Sequence, residues 1–305
     1  MGVYSMKPNR FRALPWILCP VALIALQVDK EAVHNIDEIL RKRITIVAAK
    51  VAEGNVLEEK YRSVDKILDP IEWAMQYRNY LREKKELLSI TKREIDNCLI
   101  EAAILPTKRA PTGSGRELIA KFTQYFGDYK AFLDALLINL DSQIMAAKLG
   151  YLINAIELNQ QKTFDAFDAS SIGTAEACYK KETELLEAYK DILTKIDLGK
   201  DFPLETKNLF IETYGTMHQE MRKYIEAYKI NYETYKKARL KGWGLLITIP
   251  YEKSAAFQKK ISEILFELDA KIQVLEQKSA QAGRDAYTLY YLQKKQLGEN
   301  PVIID

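Results

Sequence analysis

Apolar residues recur at every third or fourth position along most of this chain, and this periodicity constrains the fold more than any other feature. The spacing places the apolar residues on one face of an α-helix. It persists in several segments of about 30 to 45 residues, long enough for helices of roughly 45 to 65 Å. The first segment has the face Val33, Ile36, Leu40, Ile44, Val47 and Val51.

Residues that break helices divide this periodicity into segments. Glycine (13) and proline (9) are scarce in 305 residues, and they concentrate at a few positions. Each concentration ends one helix and begins the next. The densest lies at 105–115, which we predict to be a linker. The predicted helices are 30–68, 70–104, 116–167, 174–198, 203–241 and 251–297.

These segments predict an all-α protein, an elongated antiparallel bundle of five or six long helices with coiled-coil-like packing. In the third helix the apolar residues approach a heptad pattern from Phe122 to Leu158, so we expect this helix to be the most buried, with neighbours on two sides. The predicted organisation is an N-terminal apolar arm (1–29), the bundle (30–298) and a tail (299–305).

The arm contains an apolar run at 13–26 that follows several basic residues. Basic residues before a short apolar run are typical of a secretory signal peptide. Pro15 and Pro20 interrupt the run, and no small-residue cleavage site follows it cleanly, which favours an extended arm packed along the bundle. Both interpretations stay open. The run is too short for a transmembrane helix.

Residues that carry chemistry are sparse. The three cysteines have no metal-ligand spacing, and we expect Cys98 and Cys178 to be buried thiols. His218 is expected at the surface or at the edge of the core. Glu182 stands among lysines and other glutamates, a pattern typical of a solvated helix face. We therefore expect no catalytic residues, no cofactor and no metal, and hence a protein that is not an enzyme.

The fifth predicted helix carries a stripe of tyrosine and methionine at helical spacing. A tyrosine buries its ring while its hydroxyl reaches water, so the stripe is expected to be a packing seam. An interface with a second protomer or a partner is the alternative, because these residue types are enriched there. The stripe consists of Tyr214, Met217, Met221, Tyr224, Tyr228, Tyr232 and Tyr235.

An apolar segment at 242–250 (GWGLLITIP) interrupts the helical pattern, with cations before it and Tyr251 and Lys253 after it. Cations and aromatic rings around a short apolar run are typical of a segment that binds at a membrane interface. A buried connection between helices is an equally weighted alternative. The predicted membrane or partner contacts are Trp243, Leu245, Leu246, Ile247, Ile249 and Tyr251.

The long antiparallel helices, the apolar segment 242–250 and the lack of an active-site motif together resemble the α-helical pore-forming toxins. These are the cytolysin A-like group and the two-component Xax/Yax type. The resemblance is architectural and covers most of the chain. It implies a secreted, soluble protein that binds a lipid membrane, with or without a partner toxin component, and oligomerises there into a pore. No stretch is long and apolar enough for a transmembrane hairpin, which suits a component that anchors at the interface.

Two other functions compete with this one. A membrane-curving or scaffolding coiled coil of the BAR type also uses long helices, but it dimerises and carries basic faces. The net charge of +3 gives such a face little support, and it argues against nucleic-acid binding. The third possibility is a structural or interaction protein without a membrane role, located in the cytoplasm.

Overall fold

The computed structural model describes residues 28–67, 69–108, 113–196, 203–242 and 251–302. Helices account for 92% of it, and these ranges contain no β-strand, which confirms the all-α prediction. A π-helical turn, Leu40–Ile44, connects the first two α-helices, and a 3-10 turn, Val64–Lys66, follows the second. The α-helices are α1 Lys30–Ile39, α2 Thr45–Tyr61, α3 Pro70–Lys108, α4 Gly113–Asp168, α5 Ile172–Lys195, α6 Leu204–Ile230, α7 Tyr232–Gly242 and α8 Tyr251–Gln296.

The predicted linker 105–115 is mostly helical. Helix α3 continues to Lys108, past the proline at position 106, and α4 begins at Gly113. Local glycine and proline signals place helix ends only to within a few residues, because packing of the flanking helices overrides intrinsic propensity. Residues 109–112 lie outside the described residues.

The described residues pack into two compact units. Unit 1 contains the described parts of 1–63, 80–141 and 268–305, and unit 2 contains those of 64–79 and 142–267. Helices α3, α4 and α8 contribute residues to both units.

Helix α4 has neighbours on two sides within unit 1, as its apolar composition predicted. Lys130 of α4 forms an ion pair of 2.7 Å with Asp96 of α3, and Asp128 forms one of 2.8 Å with Lys278 of α8. The buried rings of Phe122 and Phe126 lie on this helix. A helix with partners on both sides must be apolar over more than one stripe.

The buried face of α4 departs from the predicted heptad pattern towards its C-terminal half. Leu133 and Leu140 are buried as predicted, but Leu158 is 43% exposed. Leu152 and Ile156 take the buried positions instead. A straight helix with 3.6 residues per turn drifts by about 20° per heptad, so a heptad extrapolated over this length leaves the buried face.

Unit 2 has two apolar clusters. The first joins α4, α5 and α6 through Leu149, Leu152, Ile156, Leu185, Leu186, Tyr189, Ile192, Leu193 and Phe210. The second lies at the α4–α5 turn and joins it to α6 and α7 through Ala166, Phe167, Ala175, Met221, Tyr224, Ile225, Ala227 and Tyr235.

Candidate functional site

Most of the predicted contact residues lie outside the described residues. This applies to Trp243, Leu245, Leu246, Ile247 and Ile249. Tyr251 is the first residue of α8, and α7 ends at Gly242. The apolar segment therefore connects two helices, and the structure describes the helix that leads into it.

That helix, α7, is separate from α6, whereas the sequence predicted one continuous helix over 203–241. Asn231 interrupts it with an extended backbone (φ −173°, ψ 163°). The side-chain oxygen of Asn231 accepts hydrogen bonds from the backbone N–H and the hydroxyl of Thr234, at 2.8 and 2.9 Å. An asparagine in this role satisfies a free N–H group of the first helical turn, so α7 begins with its own N-cap.

Aromatic rings hold α7 against the end of α4. The rings of Tyr235 and Phe167 have centroids 4.6 Å apart, and Tyr228 lies 5.5 Å from Tyr235. Tyr224 and Tyr235 are fully buried. This part of the tyrosine stripe is therefore a packing seam, as the sequence indicated. Tyr232, at 42% exposure, is its outermost ring.

The cationic side chains that the structure describes on α7 divide into two groups. The guanidinium of Arg239 lies 4.7 Å from the Phe164 ring centroid and donates a hydrogen bond of 3.0 Å to the hydroxyl of Tyr235. It belongs to the packing of α7. Lys236 and Lys237 are exposed, and Lys236 lies 4.7 Å from the Tyr232 ring centroid and 3.6 Å from Glu233 on the same helix.

One large apolar side chain of α7 also faces water. Leu240 is 78% exposed, and only two residues separate it from Trp243. Single exposed leucines are common on proteins. This one lies on the same short helix as the two exposed lysines, directly before the apolar segment.

A second candidate site lies inside unit 2, at Glu182. The side chain is fully buried, which corrects the prediction of a solvated helix face. Gln160 of α4 donates a hydrogen bond of 2.8 Å to Glu182 Oε1, and Oε2 has no hydrogen-bond partner. Burial raises the pKa of Glu182 to about 7, and the bond from Gln160 offsets only part of that rise. Glu182 precedes Leu185 and Leu186 by three and four residues, and this helical spacing was the sequence signal for a buried face.

His218 of α6 lies at the edge of the core beside this carboxyl group. Its Nδ1 is 3.8 Å from Glu182 Oε1, and its ring stacks on Tyr179 with centroids 4.2 Å apart. Burial, with Lys190 and Arg222 nearby, lowers the pKa of His218. On the other side of the ring, His218 Nε2 lies 3.1 Å from the hydroxyl of Thr183.

The two cysteines that the structure describes differ in burial. Cys98 and Cys178 are both free, and Cys98 is buried while Cys178 is half-buried. Burial raises the pKa of Cys98 to about 12, so the thiol stays protonated at neutral pH. Cys19 lies outside the described residues.

The described ranges lack two further kinds of feature. No three His, Cys, Asp or Glu side chains there are grouped as metal ligands. No helix in the described part of the chain is both long and apolar enough to cross a bilayer.

Comparison with protein-family models, with curated proteins and with solved structures gives no match for this chain.

Proposed function

We propose that this chain is a membrane-active helical protein that docks on lipid through the apolar segment 242–250 and then oligomerises, as a pore-forming protein or as one component of such a system. The observation that carries the proposal is the surface of α7. Exposed Leu240 lies beside exposed Lys236 and Lys237, immediately before the segment. Apolar and cationic side chains together are what an interfacial segment presents to lipid.

The anchoring of α7 supports the same function. Tyr235 and Arg239 fix one face of the helix to the end of α4, at contacts of 4.6 and 4.7 Å to Phe167 and Phe164. The other face remains exposed. Because α7 is already ordered, membrane binding of the apolar segment does not have to offset the entropy cost of ordering this helix.

The energies involved are sufficient for docking. Burial of each large apolar side chain of the segment contributes about 1.5–3 kcal/mol at best. Each nearby lysine adds about 1 kcal/mol on an anionic membrane. The sum of several such contributions exceeds the free energy of a marginal, reversible membrane association.

The test is vesicle flotation with Leu246→Asp, which places a carboxylate in the middle of the apolar segment. We expect the variant to fold as the parent does, which circular dichroism and thermal unfolding can check. Its affinity for vesicles should fall at least about tenfold, because the loss of one apolar contact of this size changes the binding constant by that factor. Leu240→Asp should weaken binding in the same direction.

The matched control is Leu204→Asp. Leu204 is 67% exposed at the first position of α6, so the same substitution is made on a surface that the proposal does not use. Equal binding by the control and the parent, with loss in Leu246→Asp, supports the proposal. Unfolding of Leu246→Asp identifies the segment as core, and unchanged binding moves the contact elsewhere; either result ends the proposal.

A further inference from the structure

The N-terminal end of α4 carries an open apolar groove within unit 1. The groove has a volume of about 530 Å³, in the range of pockets that bury small ligands. Helix α3 forms one wall and helix α4 the other. Its lining consists of Ala102, Ala103, Arg116, Ile119, Ala120, Thr123 and Gln124.

The wall formed by α3 leaves apolar side chains in water. Ala103 is exposed, and Ile100 and Ile104 beside it are 61% and 45% exposed. Residues three and four apart lie on one side of a helix, so the three form a continuous apolar strip. A strip next to a groove is a surface that a further chain segment would cover.

The described chain enters the molecule next to this groove. Asp29 caps α1 by accepting the backbone N–H of Ala32 at 3.1 Å. The same carboxylate lies against Gly115, where an added Cβ would be 2.6 Å from Asp29 Oδ2. Gly115 immediately precedes Arg116, the first groove residue of α4.

From these positions we infer that the apolar arm preceding α1 folds back into the groove, with residues 21–26 (VALIAL) covering the strip on α3. The groove from Arg116 to Gln124 is about 12 Å long, because a helix rises 1.5 Å per residue. The ten residues from Cys19 to Val28 are nine steps along the chain and reach up to about 30 Å when extended, enough for a turn and the full groove. The occupant is thus a segment of this same chain.

The test uses the native Cys19 as a reporter. Gln124, which lines the groove and is exposed, is replaced in Gln124→Cys, and Val274, exposed at 65% on α8 of unit 1, is replaced in the control Val274→Cys. Both carry Cys178→Ser. Mild oxidation of the full-length protein is followed by intact mass and peptide mapping.

A docked arm gives a disulfide between Cys19 and the cysteine at 124 within one chain. Its yield should be at least about five times that at position 274, because docking raises the effective concentration at one place only. Adding Ala103→Glu to Gln124→Cys, which puts a charge in the groove, should reduce the yield towards that of the control.

Four results would overturn the inference. Equal yields at positions 124 and 274 mean that the arm is undocked, and absence of any disulfide of Cys19 means that it lies elsewhere. A disulfide that forms only between chains makes the groove an interface between copies. An intact mass that lacks residues 1–27 shows that the mature protein does not keep this occupant. None of these results affects the vesicle experiments, which concern a different segment.

Discussion

The carboxyl group of Glu182 lies in the interior of unit 2, where burial raises its pKa from 4.5 to about 7. The folded state therefore holds a proton that the unfolded state releases between these two values. By linkage, the contribution of Glu182 to the free energy of unfolding is fully present below pH 4.5 and declines as the pH rises through 7. The decline amounts to roughly 3 kcal/mol at most.

The variant Glu182→Gln tests this contribution. A glutamine keeps the shape and can still accept the hydrogen bond from Gln160, but it has no proton to lose. We expect the variant to be more stable than the parent at pH 8, and the advantage to vanish towards pH 5. Urea denaturation at several pH values gives the difference directly.

His218 works in the opposite direction and must be separated from Glu182. Its pKa is lowered by burial, so it stabilises the fold at higher pH and loses that contribution as the pH falls. Comparing parent and variant cancels this term, provided that His218 keeps its environment. The control Glu184→Gln lies on the exposed side of α5, where the hydrogen bond from Lys181 lowers the pKa of Glu184. This carboxylate therefore titrates below the tested range, and the control should leave the curve unchanged between pH 5 and 8. Parallel curves for parent and Glu182→Gln would contradict the assignment.

Two helix ends show the same capping motif with different residues. At the end of α4, Ser171 N–H donates to Ala166 O at 2.8 Å, and Ser170 has a positive φ of 58°. At the end of α8, Glu299 N–H donates to Lys294 O at 3.0 Å, and Gly298 has φ of 74°. Both are Schellman-type ends, in which a left-handed residue lets the chain satisfy its last carbonyls.

The two helix ends predict opposite effects for opposite substitutions at Ser170 and Gly298. A side chain in the left-handed region costs roughly 1–2 kcal/mol, which glycine avoids. Ser170→Gly should therefore raise the free energy of unfolding by up to about 1 kcal/mol, and Gly298→Ser should lower it by a similar amount. Thermal or urea unfolding measures both. Destabilisation by Ser170→Gly would show that the serine side chain contributes more at this turn than the backbone strain costs.

The same turn shows what sequence reasoning can and cannot find. The cluster Ser170, Ser171 and Gly173 correctly predicts a break between two helices, but Gly173 lies inside α5, and Ser170 takes the left-handed position. The break at Asn231 had no glycine or proline to mark it. The existence of a helix can be predicted from periodicity over many residues. The position of its end depends on only one or two hydrogen bonds, so neighbouring end positions are close in free energy.

Burial was predictable where a whole face is apolar and not where one polar residue is buried. The face of α1 was found because Val33 and Ile36 repeat at helical spacing, and both are fully buried. Glu182 was missed because its charged neighbours obscure the helical spacing to Leu185 and Leu186, and because its hydrogen-bond partner Gln160 lies 22 residues earlier in the chain. A local pattern contains no information about such a partner, so the candidate proton site required the structure.

For the molecule as a whole, charge is nearly balanced. A net charge of +3 over 305 residues provides little long-range attraction to an anionic surface. Any preference for anionic lipid must then arise from a local group of cations. On the proposed function, that group is the exposed lysine pair of α7. Arg239 packs between helices against Phe164 and Tyr235, whereas the contacts of Lys236, with Tyr232 and Glu233, lie on the exposed side of α7 itself.

The double variant Lys236→Ala, Lys237→Ala tests whether this pair directs the whole molecule to membranes. Each lysine contributes about 1 kcal/mol near an anionic surface, so we expect binding to vesicles with phosphatidylserine to fall roughly 10- to 30-fold. Binding to neutral phosphatidylcholine vesicles should not change. The control removes the exposed pair Lys180 and Lys181 of α5 and should behave as the parent does.

Release of a trapped dye from the same vesicles decides between the two membrane functions. If the protein forms pores, the amount of dye released should follow the amount of oligomer that can be cross-linked on the membrane. The double variant should then reduce vesicle binding, the amount of oligomer and dye release together. Binding without release favours a scaffold that coats the surface, or a component that needs its partner before it can form a pore. Equal loss in the α5 control would mean that the attraction follows total charge, and the lysine pair of α7 would then have no special part in docking.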